Sequence, residues 1–404
     1  MYKRHLAHYI AENAQKYPVI TLIGPRQSGK STLCRMVFPS YAYVSLEDVD
    51  QRRRAIEDPR GFFRLHSGPL VLDEVQRAPE LLSYIQTLVD EPASTRKFVL
   101  TGSHQLLLME KITQSLAGRT VIAKLLPFSR RELENEKSEI PIGGELIVKE
   151  KQQTHSTQKR SLETQLFTGG YPRIYDKQLA PQQWLQQYYE TYVERDVRTL
   201  MNIGDVDLFD RFVRLCAGRV GQLLNLSSLG NDCGVSQPTA NAWLSLLKMS
   251  FLCFTLQPHF RNFNKRMIKS PKLYFFDTGL LCYLLKIQTA ETLETHPLRG
   301  FIFENWIISE WMKSYYHRGL EPPLYFWRDT KGNEVDLIID QGTVLYPITI
   351  KSAETFDPSF LKPIDTFQKL QGLKQKDEPL GECVYGGEET FSFKNSYVRS
   401  WNKV

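Results

Sequence analysis

Residues Gly24-Pro25-Arg26-Gln27-Ser28-Gly29-Lys30-Ser31 follow the apolar run Val19-Ile20-Thr21-Leu22-Ile23 and precede Thr32-Leu33-Cys34-Arg35-Met36. A buried strand that feeds a glycine-rich turn and then a helix aims successive backbone N–H groups at one point, where phosphates are cradled. In such a loop Lys30 reaches the β- and γ-phosphates, Ser31 offers its hydroxyl to Mg²⁺, and Gly24 and Gly29 supply backbone freedom. Pro25, Arg26, Gln27 and Ser28 complete the loop, and Thr32 opens the helix that follows. Nucleotide binding is therefore the first expectation.

Four further strand-like runs leave room for helices between them: Tyr43-Val44-Ser45-Leu46, Leu70-Val71-Leu72-Asp73-Glu74, Phe98-Val99-Leu100-Thr101 and Val121-Ile122-Ala123-Lys124-Leu125. Continuous apolar runs separated by helical segments predict a parallel sheet covered on both faces. The run over 70–74 ends in two acids. Asp73 has the position that helps to hold Mg²⁺, and Glu74 the position that polarises an attacking water. The next strand ends Thr101-Gly102-Ser103-His104, at the carboxyl edge where open α/β sheets bind ligands. Thr101 or Ser103 senses the γ-phosphate there, or Ser103 simply caps the following helix. That helix is expected to run to Ser115-Leu116-Ala117-Gly118-Arg119. Arg119 is either a partner for the helix dipole or a finger that neutralises charge on the transferring phosphoryl group.

These motifs, with Leu-Pro-Phe-Ser at 126–129, resemble the prokaryotic AAA-type ATP-binding proteins that carry a C-terminal domain of unknown function. The resemblance implies nucleotide, Mg²⁺ and hydrolysis roles for Lys30, Ser31, Asp73 and Glu74, a sensor at the strand end 101–103, and an arginine finger at Arg119, within its own chain or across to another. No [Asn/Thr]-Lys-x-Asp guanine motif occurs in the chain, so ATP is the expected nucleotide.

A chain of 404 residues is long for one core. Four regions are expected: an ATPase core over 1–133, a linker and helical lid over 134–205, a winged-helix-like unit over 206–285 and a C-terminal domain over 286–404. Within the second region, 134–160 is polar and mixed in charge, Thr-Gly-Gly-Tyr-Pro-Arg at 168–173 is a turn, and a helix starts near Pro181. The turn matches the same family, where it closes near the nucleotide. Arg173 is either a phosphate contact or a plain turn residue. Tyr192 to Val197 matches a further family signature, with surface ion pairing as its plain reading.

Residues 207–257 have helix-turn-helix patterning, with small residues at Gly234 and Ser236 between two helices and a wing beginning near Phe251. The presumed reading helix presents Gln237, Asn241 and Ser245 with almost no Lys or Arg, so groove insertion lacks its electrostatic support. The unit is either a structural lid or a DNA contact, and the basic segment 261–269 keeps DNA open as a partner. A protein partner and an oligomer also stay open.

From Arg299 the order becomes helix, strand, strand, strand, and it resembles a restriction-endonuclease-like core. Such a core gathers a metal and a water with an acid on the first helix, an acid on one strand and Glu-x-Lys on the next. Glu304, Asp336 and Lys351 stand where it needs them, but Thr349 stands where the Glu belongs. A hydroxyl does not replace an anionic metal ligand. The fold is therefore expected to outlast the activity, and a degenerate interaction domain is expected in place of a nuclease.

The net charge of +6 is mild. The six cysteines are scattered without a Cys-x-x-Cys pair, which predicts reduced core residues. No apolar run approaches the ~18 residues of a membrane span. A cytoplasmic protein without membrane contact is expected. The fold class is thus α/β: a P-loop parallel sheet, then a winged helix-turn-helix, then a smaller restriction-endonuclease-like α/β domain.

Overall fold

A computed structural model describes residues 2–92, 94–103, 112, 114–136, 140, 160–192, 205–259, 270–371 and 381–404. Segments 141–159 and 261–269, most of the helix expected after Ser103, and the signature beyond Tyr192 lie outside the described residues.

The first sheet comprises β1 (Val19–Ile23), β2 (Ala42–Ser45), β3 (Leu70–Asp73), β4 (Phe98–Gly102) and β5 (Thr120–Lys124), all parallel, in the order β2-β3-β4-β1-β5. Side chains alternate between faces with the strand period of two. Val19, Ile23, Leu70, Leu72, Phe98 and Leu100 pack on one face with Leu81, Leu82 and Ile85 of the helix Leu81–Asp90. Ile20, Leu22, Val71 and Val99 pack on the other with Leu6, Ile10 and Leu33 of the helices Leu6–Lys16 and Lys30–Val37. Helices on both faces are why β1, β3 and β4 are buried at every residue.

Beyond residue 160 come the helices Leu162–Thr168, Pro172–Asp176 and Pro181–Tyr188, and then Val206–Gly218, Leu226–Cys233 and Gln237–Met249. The turn between the last two is made by Gly234 in the left-handed region and by Ser236, whose hydroxyl caps Thr239 N. Strands β6 (Cys253–Pro258) and β7 (Lys272–Phe275) pair antiparallel, and Leu223 bridges Lys272.

The second sheet is mixed. It contains β8 (Leu324–Arg328), β9 (Glu334–Asp340), β10 (Leu345–Lys351), β11 (Glu382–Tyr385), β12 (Phe391–Phe393) and β13 (Ser396–Ser400). Its order is β12-β13-β11-β10-β9-β8-β6-β7, because Gln257 and Pro258 of β6 pair in parallel with Tyr325 and Phe326 of β8. The helix Arg299–His317 is buried along almost its whole length and packs against β5, β7 and β10.

Charged side chains hold the two sheets together. Lys313 on that helix donates to Phe128 O at 3.0 Å and pairs with Glu310 at 2.7 Å, while Glu310 accepts from Arg130 N at 2.8 Å. Buried charges persist only when paired in this way. All six cysteines are free and buried. Among the described residues no helix is long and apolar enough to cross a membrane.

Candidate functional site

The loop after β1 passes so close to the end of β5 that a Cβ on Gly24 would lie 2.0 Å from Leu125 O, which only glycine avoids. Gly29, at φ 92°, turns the chain into the helix Lys30–Val37. Lys30 is buried, and its ammonium donates to Gly24 O at 2.9 Å and Pro25 O at 2.8 Å. Burial pushes this ammonium down from its ordinary value, with Glu74 and Asp73 pulling it back up.

Ser31 Oγ donates to Asp73 Oδ2 at 2.9 Å. Asp73 also accepts from Tyr43 OH and from Thr101 Oγ1, so three hydroxyls converge on one carboxylate. Burial, reinforced by Asp73, pushes the Tyr43 phenol up to about 12, which keeps it a donor. Glu74 follows in the left-handed region at φ 57°. Its N–H donates to Thr101 Oγ1 at 3.1 Å, and its Oε2 accepts from Ser103 Oγ at 3.0 Å and from Gln76. Lys30, Ser31, Thr32, Asp73 and Glu74 line one cavity of about 510 Å³, with Arg26, Gln27 and Gly29 at its loop side. Paired hydroxyl and carboxylate oxygens are the hard donors Mg²⁺ takes, so Ser31 and Asp73 fit that ion.

A family model described as AAA domain matches residues 16–134, the segment that holds every residue just placed. The chain carries an AAA domain. Two further models, both domains of unknown function (DUF8612 and DUF4143), match residues 159–291 and 299–403. An uncharacterized protein of Mycobacterium tuberculosis is 29% identical over 403 residues, covering 98% of this chain and 82% of its own length. An uncharacterized protein of Haemophilus influenzae is 22% identical over 284 residues, 64% of this chain and 66% of its own. Among solved structures, a Walker-type ATPase of Pyrococcus abyssi aligns over 70% of this chain and 96% of its own at 15% identity and a TM-score of 0.44. The RuvB Holliday junction branch migration motor of Thermotoga maritima aligns over 63% and 89% at 15% identity and a TM-score of 0.29.

The far wall of the AAA domain's cavity comes from outside the sheet. Tyr2, Arg4, Phe128, Pro172 and Arg173 line it. Arg4 spans three segments: it donates to Ser28 O in the loop at 2.8 Å, to Leu126 O at 2.6 Å and to Glu132 at 2.9 Å. Its guanidinium also lies 4.7 Å from the Phe128 ring centroid. Arg173 reaches the cavity because the Gly169-Gly170 turn is pinned by Asp277, whose Oδ2 accepts from Gly170 N at 2.7 Å. At Gly169, with φ 71°, a Cβ would stand 2.4 Å from Asp277 Oδ1. Tyr2, Arg4 and Tyr43 were not foreseen from sequence, since each reaches the site by packing and none belongs to a local motif. Phe128 entered only as part of the Leu-Pro-Phe-Ser signature, and Arg173 with a turn role left open.

Arg119 is not brought to this cavity. It precedes β5 at the amino edge of the sheet, where its carbonyl accepts Val19 N, whereas the phosphate loop leaves β1 at the carboxyl edge. A strand of this length separates the two edges by roughly 15 Å. Its guanidinium pairs with Asp90 through contacts of 2.6 and 2.7 Å and donates to Ala117 O at 3.1 Å. A finger role within its own chain is thereby corrected; the helix-end role and a finger offered to another copy stay open.

The second cluster named from sequence does assemble. Glu304, Asp336 and Lys351 meet at the junction of β7, β9, β10 and the helix Arg299–His317, with Lys351 Nζ 3.4 Å from Asp336 Oδ2. Asp336 also accepts from Ile350 N at 2.7 Å. Thr349 is fully buried, and its hydroxyl is spent on Phe360 O at 3.0 Å. Lys272 of β7, absent from the sequence reading of this centre, inserts between Glu304, at 3.1 Å, and Glu334. Among the described residues no group of His, Cys, Asp and Glu is arranged to hold a metal ion. A divalent metal of the nuclease kind does not fit here.

Proposed function

We propose that the AAA domain binds MgATP and hydrolyses it, and that the helices after residue 160 pass the nucleotide state to the C-terminal unit and on to a DNA or protein partner. The observation that carries this reading is the convergence of Lys30, the Ser31–Asp73 oxygen pair and Glu74 on one cavity. Lys30 exchanges the carbonyls of Gly24 and Pro25 for the β- and γ-phosphates, whose oxygens also meet the N–H groups that open the helix Lys30–Val37. Ser31 and Asp73 hold Mg²⁺, whose charge, when bound, neutralises the transferring phosphoryl group. Glu74 takes the proton of the attacking water once Gln76 and Ser103 release its carboxylate. Arg119, at the opposite edge, serves the nucleotide of a neighbouring copy in an oligomer.

The engagement of Glu74 by Gln76 and Ser103 favours a second reading, a nucleotide-dependent switch whose turnover is slow and whose output is binding. In either case the region 206–285 is read as winged-helix-like. The order of three helices and a β-pair, with the bridge from Leu223 to Lys272, supports that. Its third helix exposes Gln237, Asn241 and Lys248, a face with one cation among the described residues. That favours a protein partner over the phosphate backbone of DNA.

Steady-state ATP turnover with and without duplex DNA, on the parent and on Glu74→Gln, tests the reading. ATP binding kept with turnover lowered at least a hundredfold supports it. Parent-like turnover in Glu74→Gln removes Glu74 from its role, and no ATP binding by the parent removes the proposal.

A further inference from the structure

The acid centre of the C-terminal unit contains three carboxylates, Glu304, Glu334 and Asp336, and each has a basic side chain against it. Lys272 Nζ lies 3.1 Å from Glu304 Oε1 and also contacts Glu334 Oε1. Arg328 lies 3.2 Å from the other oxygen of Glu334, and Lys351 3.4 Å from Asp336. Tyr274, two residues along β7 from Lys272, donates to Glu304 Oε1 at 2.5 Å. Three carboxyl groups thus meet three basic ones; burial raises the Glu304 carboxyl against the pull of Lys272, whose side chain at their middle is 3% exposed.

We propose that Lys272 is the resident cation of this centre: its ammonium stands where a nuclease core of this shape would hold a divalent metal, and it makes the centre an ionic joint from β7 to the helix Arg299–His317 and to β9.

Charge and connectivity carry the argument. A divalent ion added to a set in which every carboxyl already has a basic partner would bring two further positive charges into a buried place, which is strongly unfavourable. Burial by itself would push the Lys272 ammonium down, but Glu304, Glu334 and Asp336 outweigh it and hold the group above its ordinary value, so the lysine stays charged. Lys272 also belongs to the strand that bridges Leu223 ahead of the helix Leu226–Cys233. The ion pairs therefore join the helical unit to Glu304 on the helix Arg299–His317 and to Glu334 at the start of β9. The pairing of β6, which lies next to β7, with β8 joins the same two parts within the sheet.

Removing the ammonium empties its place between Glu304 and Glu334 and leaves the set one charge negative; a divalent ion there takes it to one charge positive but replaces the lost ion pairs with direct carboxylate ligands. Melting temperature is the readout, measured on nucleotide-free full-length protein in EDTA and in millimolar Mn²⁺. Lys272→Ala is expected to melt several degrees lower than the parent in EDTA and to recover at least half of that loss in Mn²⁺. Asp336→Asn added to it is expected to abolish the recovery. The parent is expected to show no Mn²⁺ shift that depends on Asp336. An Asp336-dependent Mn²⁺ shift in the parent, or Lys272→Ala that melts like the parent and ignores Mn²⁺, overturns the proposal. Should Lys272→Ala fail to fold, Lys272→Met with Glu304→Gln, which removes one charge of each sign, decides. Folding of that pair with no Mn²⁺ response supports the joint, and a pair as unfolded as the single variant overturns it.

Discussion

Lys313 donates to the carbonyl of Phe128 at 3.0 Å, so a side chain of the C-terminal unit holds the backbone of a residue that lines the nucleotide cavity. The Phe128 N–H is held as well, by Gly170 O at 2.7 Å, and Gly170 in turn by Asp277. Two segments that border the cavity are thereby tied to the helix Arg299–His317 and to the turn after β7. Lys313→Met leaves Glu310 buried beside Arg130 without its ammonium. Breaking one side of a buried pair costs about 3–5 kcal/mol. Urea denaturation is expected to show a loss of that order, and Lys313→Met with Glu310→Gln a smaller one. The same single variant is expected to bind ATP several-fold more weakly by calorimetry, which a purely local defect in the C-terminal unit would not produce.

Tyr43 is expected to set the Mg²⁺ requirement. Its hydroxyl and that of Thr101 orient the Asp73 carboxylate from opposite oxygens, leaving Oδ2 facing Ser31. Outer partners of a metal ligand typically change metal affinity about tenfold or more when removed. Tyr43→Phe is therefore expected to raise the Mg²⁺ concentration for half-maximal turnover about tenfold, with turnover restored at saturating Mg²⁺. A variant whose Mg²⁺ titration overlays that of the parent would remove Tyr43 from this role.

Acid stability should depend on Glu132. Burial alone would raise this carboxyl, but Arg4, His317 and the N–H of Ser129 outweigh it and hold it below its ordinary value. A carboxylate depressed in the folded state contributes stability above its unfolded pKa, near 4.3, and loses it as pH falls through the lower folded value. Denaturation midpoints measured between pH 6 and pH 3 are expected to fall more steeply for the parent than for Glu132→Gln. At pH 7 the variant is expected to lose about 3 kcal/mol, because Arg4 stays buried without its counter-charge.

The legible parts of the site were those in which chemistry and chain sequence coincide. Gly24 to Ser31, and Asp73 with Glu74, are contiguous because one loop and one strand end must each present several groups at once, and the structure brings both to one cavity. Arg4 and Tyr43 carry no such local pattern. Arg4 meets the loop only because the helix Leu6–Lys16 packs on the β1 face, and Tyr43 meets Asp73 only because β2 pairs with β3 in the register Ser45 to Asp73. Lys272 shows the same limit at the other centre. Glu304, Asp336 and Lys351 were recognisable through the resemblance of one helix and its following strands to a restriction-endonuclease-like core. The further cation, Lys272, comes from β7, ahead of that helix, and only the sheet order that places β7 beyond β6 and β8 brings it in.

Arg119 separates a structural from a catalytic use of one side chain. Its pair with Asp90 is bidentate but exposed at the amino edge of the sheet, and exposed ion pairs contribute little to stability. Arg119→Ala is accordingly expected to leave the melting temperature of the parent almost unchanged. If the guanidinium serves a neighbouring copy, parent turnover per chain rises with protein concentration, and the variant loses that rise while keeping its dilute-solution rate. Mixing Glu74→Gln with Arg119→Ala should then restore the concentration-dependent rise that neither variant shows by itself, since a Glu74→Gln chain lends its Arg119 to a neighbour whose Glu74 is intact. Turnover per chain independent of concentration in both proteins, with no rise restored in the mixture of the two variants, would return Arg119 to the helix-end role that its bond to Ala117 O already describes.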